Sequence, residues 1–129
     1  LATVPGSAAS PAVARTAITR GRMMELLAKG TLSDEDSDNA FVVGIFSMLD
    51  VMLGVPKEKA LAEITLSEPI VMALSHNPGL YGSYLQLARA VEQRDFDNLD
   101  FIASALGIQG WRVSSVHLAA LAWVEELGI

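Results

Sequence analysis

From Phe41 to Val55 the chain is apolar almost without pause, broken only by Gly44, Ser47, Asp50 and Gly54. A run of this kind has to be covered, because an uninterrupted apolar surface is not stable in water. It is shorter than the roughly 20 residues that span a bilayer, so the cover must come from the rest of the protein. The run therefore predicts a central helix, about Ala40 to Leu53, apolar nearly all round. Ala40, Gly44 and Ser47 fall four and three residues apart, which makes a flat strip where a neighbouring helix can approach closely. Gly44 is thus a candidate structural residue.

The other segments supply helical partners. Leu1 to Ser10, rich in Ala, Ser, Gly and Pro, reads as a linker or disordered lead-in, leaving 11–129 as the helical domain. Ser10-Pro11 opens a first helix that stops at Gly30. Its Arg15, Arg22 and Lys29 recur every seventh position, a solvated face or, alternatively, a docking surface for an acidic partner. Thr31 to Asn39 reads as a polar loop whose Asp34, Glu35, Asp36 and Asp38 favour the positive start of the next helix. Pro56 opens a short helix through Ile64, and Ser67 caps another, which His76-Asn77-Pro78-Gly79 breaks. Leu80, Tyr84, Leu87 and Val91 mark a fifth helix. Phe96 to Leu106 marks a sixth, with Leu99, Ile102, Ala103 and Leu106 facing inward. Val113 to Leu127 closes the chain. No credible strand or internal repeat is visible, so the fold class is all-α, an irregular bundle of about seven helices, two of them largely buried.

Composition excludes several functions. With 51% hydrophobic and only 6% aromatic residues, the core of this 129-residue chain is built mainly from aliphatic side chains. A net charge of −6 works against a phosphate-binding surface, so nucleic acid is not an expected partner. The absence of cysteine removes disulfides and thiolate metal sites. No signal peptide is visible, no membrane insertion is expected, and cytoplasmic localisation is the simplest expectation. The chain opens at Leu1 without an initiator methionine, which suggests a piece of a longer protein.

Candidate chemistry is sparse. His76 and His117 are the only histidines, neither paired at helical spacing as a metal site needs. Ser47, His117 and Asp50 make a nucleophilic triad on paper, but no G-x-S-x-G pattern accompanies them. Asp50, set among Met48, Leu49, Val51, Met52 and Leu53 near the negative end of the expected helix, must either reach solvent or meet a cation. Arg20, Arg22 and Arg112 are the candidate partners, and Asp50 and Arg22 are candidate structural or regulatory residues. No cofactor is expected.

The stretch Arg20-Gly-Arg-Met-Met-Glu-Leu-Leu-Ala28, followed by Phe41-Val-Val-Gly-Ile-Phe-Ser-Met-Leu-Asp-Val-Met-Leu-Gly-Val-Pro56, resembles the HDOD domain. The likeness is to the C-terminal part of bacterial EAL-HDOD cyclic-di-GMP signalling proteins, and it runs from about Arg15 to Leu127. Leu66-Ser-Glu-Pro-Ile70 and the closing Ala122-Trp123 with Glu125-Glu126-Leu127 also fit. HDOD domains are similar to HD phosphohydrolases, whose metal is held by a His-Asp pair on a central helix, an earlier His and a later Asp. Matching Gly44-Ile45-Phe46 to the family's Gly-Leu-Leu puts Ser47 at the histidine and Met48 at the aspartate. A hydroxyl is a poor ligand beside imidazole, and a thioether suits soft metals rather than those that activate water. No histidine precedes His76 to act as the earlier ligand.

The resemblance therefore implies an HD-related bundle with vestigial positions at Ser47 and Met48. The expected function is a non-catalytic regulatory or output module that works by protein-protein interaction. It further implies an attached EAL domain, in a parent that acts as a cyclic-di-GMP phosphodiesterase. Expected partners are that EAL domain or another signalling protein. Upstream HDOD helices missing from the chain would leave an apolar face open to homo-oligomerisation. The alternative is a small-molecule sensor with a nucleotide in the vestigial pocket near Ser47.

Overall fold

The computed structural model describes residues 11–62, 66, 68–74 and 79–129. Eight helices and no strand occur among them: α1 (Pro11–Lys29), α2 (Asp34–Phe46), α3 (Leu49–Leu53), α4 (Lys57–Ala62), α5 (Glu68–Leu74), α6 (Gly79–Gln93), α7 (Phe96–Leu106) and α8 (Gly110–Leu127). The all-α class is as the sequence predicts. The expected lead-in at 1–10, the Ser67 cap, the end of the short helix at Ile64 and the His76-Asn77-Pro78 break lie outside the described residues.

The helix expected over Ala40 to Leu53 differs at both ends. It begins at Asp34, where a loop was expected, because Ser33 caps it: the Ser33 hydroxyl accepts from the Asp36 amide at 3.1 Å. Asp34, Glu35 and Asp36 occupy the first turn itself, where unpaired amides and the helix dipole favour negative charge. At the other end the helix breaks. The Ser47 hydroxyl donates to Gly44 O at 2.7 Å, and the Met48 amide closes a tighter turn, donating three residues back to Ile45 O at 3.2 Å. A serine bonding back to its own helix bends it. Met48 leaves the helix at φ −111° and ψ 12°, and α3 starts on a new axis that Gly54 closes in the left-handed conformation, φ 70°. This break supplies the extra helix.

The structure also moves the centre of the bundle. It is α1, not the run after Phe41, that packs against α2, α3, α6 and α8. Its Ala17, Met23, Met24, Leu27 and Ala28 are buried with Val43, Leu74, Tyr81, Leu87 and Ala103 in the core or beside it. The α1–α2 crossing is close enough to exclude side chains: a Cβ on Gly44 would stand 2.4 Å from Gly21 Cα, and one on Gly21 would stand 2.8 Å from Phe41 O. Helix α8 is buried along one face only, through Val113, Val116, Ala120 and Val124. Several of its other apolar residues, Trp111, Leu118 and Leu121 among them, face solvent, so it is not the second fully covered helix that its composition suggests. Helix α7 has the expected limits, with Ile102 and Ala103 buried and Leu99 and Leu106 partly so.

Candidate functional site

The close glycine crossing sets the Arg20 side chain over the carbonyl end of α2, where a cation is favoured by the helix dipole. Arg20 is only 8% exposed and Ser47 only 5%. The guanidinium donates to the Ser47 hydroxyl through Nη1 at 2.7 Å, and to both Glu92 carboxylate oxygens, at 2.8 Å through Nε and 2.6 Å through Nη2. Ser47 passes its own proton to Gly44 O. One guanidinium thus joins α1, the end of α2 and the last turn of α6. The fork geometry matches a carboxylate on two N–H groups and leaves the third direction for the serine.

The residues around this knot balance it. Arg89, one turn before the end of α6, is half-buried, and its guanidinium is held below the ordinary arginine value by burial and then by Arg20, while Glu92 and Asp50 oppose the shift. Asp50 is half-buried in the first turn of α3 and accepts from the Val51 amide at 2.9 Å. Its expected partners are occupied elsewhere: Arg20 by Glu92, Arg22 by Glu25 at 3.0 Å, and Arg112 by Leu26 O at 2.9 Å. Asp50 acts on the cluster through its field at Arg89. The break at Ser47 also places it near a helix start rather than a helix end.

This arrangement does not fit an HD-type metal. Ser47, which the resemblance would set at the histidine position, is buried and engaged by a cation, and a guanidinium repels the divalent ion that would have to share the space. Met48 is half-buried, with no polar contact to contribute. Among the described residues no three His, Cys, Asp or Glu side chains converge as ligands would. The paper triad does not assemble either. Among the described residues no hydrogen bond links Ser47, Asp50 and His117; His117 lies on α8 between two clefts, one of about 220 Å³ lined by Arg15, Thr16, Thr19, Glu92 and Leu121 among others.

The basic stripe of α1 is not a free face. Arg15 pairs with Glu125 of α8 at 2.6 Å. The Arg22 guanidinium lies 4.8 Å from the centre of the Trp123 ring, whose neighbour Phe41 meets it edge-on at 6.1 Å. Arg22 is therefore part of the α1–α8 seam, a cation on an aromatic face, with its Nε buried and without a partner in the structure. Arg15 and Lys29 are both exposed, Arg15 with Glu125 as its partner. Glu92, Arg89 and Trp123 are the site residues that sequence reasoning passed over.

The similarity to known proteins is distant. The chain is 24% identical over 110 residues to the cyclic di-GMP phosphodiesterase CdgJ of Vibrio cholerae, covering 85% of this chain and 26% of that protein. It is 23% identical over 122 residues to the uncharacterized protein YuxH of Bacillus subtilis, covering 95% of this chain and 29% of that one. The chain thus spans between a quarter and a third of the length of these two curated relatives. No family model matches it, and no solved structure does.

Proposed function

We propose that the chain is a non-catalytic regulatory module of a cyclic-di-GMP signalling protein, and that it works by contact with an EAL phosphodiesterase domain of the same parent or with another signalling protein. The observation that carries this reading is the Arg20–Ser47–Glu92 knot, which puts a fixed cation beside the position where an HD hydrolase would hold a metal ligand. Such a knot stiffens a helical scaffold and offers nothing to activate water. The similarity to a phosphodiesterase of which the chain spans only a part supports a role beside the catalytic domain rather than as that domain. A nucleotide sensor centred on Ser47 is disfavoured, because the serine is buried and its proton is committed.

The test is to titrate the chain against a purified EAL domain of its parent and follow cyclic-di-GMP hydrolysis. The expected result is binding with a changed rate, and no hydrolysis by the chain alone with Mg²⁺ or Mn²⁺. Phosphodiester turnover by the isolated chain would refute the reading, as would the lack of any effect on the EAL domain together with no capture of another signalling protein by crosslinking.

A further inference from the structure

The outer side of α8 has a spacing that its burial does not explain. Trp111, Ser114, Leu118, Leu121 and Glu125 follow one another at three- and four-residue intervals and so share one stripe. Trp111 is 70% exposed and Leu118 66% exposed. Beside this stripe, α7 and α8 diverge around a cleft of about 340 Å³, floored by Val91, Leu99 and Val113 and walled by Leu118 and Phe96, itself 63% exposed. A seam at three-four spacing next to an apolar groove is the shape that accepts another helix.

The surrounding charge selects the helix. Asp100 lies one turn from Phe96 on α7, with Asp97 beside it, and both are exposed. Glu126 is exposed at the far end of α8, next to Glu125, which Arg15 already holds. Arg112 is turned away to the Leu26 carbonyl, which leaves Arg94 as a cation lining the cleft among the described residues. The whole chain carries −6, so a second copy would bring like charge to this surface.

We infer that the α7–α8 groove is the docking site for a basic amphipathic helix of a partner protein, with aliphatic anchors along the Trp111–Leu118–Leu121 stripe and lysines or arginines facing Asp97, Asp100 and Glu126. This rests on the regulatory reading and names the surface and the partner chemistry it would use.

The probe is a synthetic helix with leucines at i, i+3, i+4 and i+7 and lysines elsewhere, titrated calorimetrically into the whole chain. A matching peptide with glutamates in place of lysines serves as its control. The lysine peptide is expected to bind about tenfold or more tightly than the glutamate peptide, and Phe96→Ala with Leu118→Ala, which leaves the charge unchanged, is expected to weaken it about tenfold. Both substitutions are at exposed positions, and an unaltered circular dichroism spectrum checks that the variant folds. Equal binding by the variant would mean adsorption by charge alone and would overturn the proposal. So would equal binding of the two peptides, no binding of either, a dimer that buries Trp111, or a Trp111 already shielded from acrylamide in a longer form of the chain. If peptide binding fails while the chain still alters the EAL rate, this surface is wrong and the regulatory reading stands; the reverse pattern, with no signalling protein captured either, refutes the regulatory reading.

Discussion

Gly44→Ala provides the sharpest test of the α1–α2 crossing, because the two effects of the substitution have opposite signs. In an ordinary helix interior, alanine is favoured over glycine by about 1 kcal/mol. Here the added Cβ would stand 2.4 Å from Gly21 Cα, 2.6 Å from Gly21 N and 3.0 Å from Arg20 C, against 3.4 Å or more in an ordinary contact. All three are backbone atoms, so no side chain can swing aside, and the helices have to part by about 1 Å at the crossing. Overpacking of a tight core costs about 1–3 kcal/mol and occasionally more, and a backbone clash belongs at the top of that range. The net expectation is a loss of about 1–3 kcal/mol, or about 4–11 °C in melting temperature for a domain of this size. Gly110→Ala is the control: nothing lies within 4 Å of its added Cβ, so it is expected to be neutral or to gain up to about 1 kcal/mol. The assay is thermal unfolding of both variants by circular dichroism. A Gly44→Ala variant that melts at or above the parent temperature would show that the crossing is not close-packed.

Two further perturbations probe the polar groups. Arg20→Met leaves Glu92 without its partner and is expected to cost about 2–3 kcal/mol, below the 3–5 of a fully buried pair because the Glu92 side chain is 29% exposed. Ser47→Ala removes two hydrogen bonds, from Arg20 and to Gly44 O, together worth about 1–3 kcal/mol, and a double-mutant cycle by urea unfolding should show the two substitutions coupled; strict additivity would mean that the knot is not a unit. Burial, together with the nearby Asp36, raises the Tyr81 phenol above its ordinary value of 10.0, although Asn39 opposes the shift. The folded state therefore holds this proton more tightly than the unfolded state, so the contribution is fully present below pH 10 and is lost as pH rises through the folded value. The urea midpoint should fall more steeply above pH 10 in the parent than in Tyr81→Phe, and identical alkaline limbs would refute this.

The parts of this fold that were legible in the sequence are those written in local signals. Helix α7 carries its own Asp95 cap and Gly107 stop, and its inward face follows directly from helical period. The start of α2 was also written locally, in Ser33 with Asp36 three residues on, but four acids within five residues read more readily as a loop than as a helix turn. The break at Ser47 has no glycine or proline to announce it; it depends on a hydroxyl turning back onto Gly44, which an apolar run conceals. The knot is less accessible still, because Arg20 and Glu92 are 72 positions apart and meet only after α1 and α6 have packed. The basic stripe of α1 shows the same limit: a spacing of seven places Arg15 and Arg22 on one face, but only tertiary packing brings that face against α8.

Because α1 is the common wall against which α2, α3, α6 and α8 rest, these helices share one interior among the described residues. Severing the backbone at the exposed Gly30–Thr31 turn would leave two pieces, each displaying one side of a single interior and each lacking what the other supplies. Each piece would expose the apolar side that the other covers, so the integrity of the scaffold depends on the meeting of its surfaces as well as on the continuity of its chain.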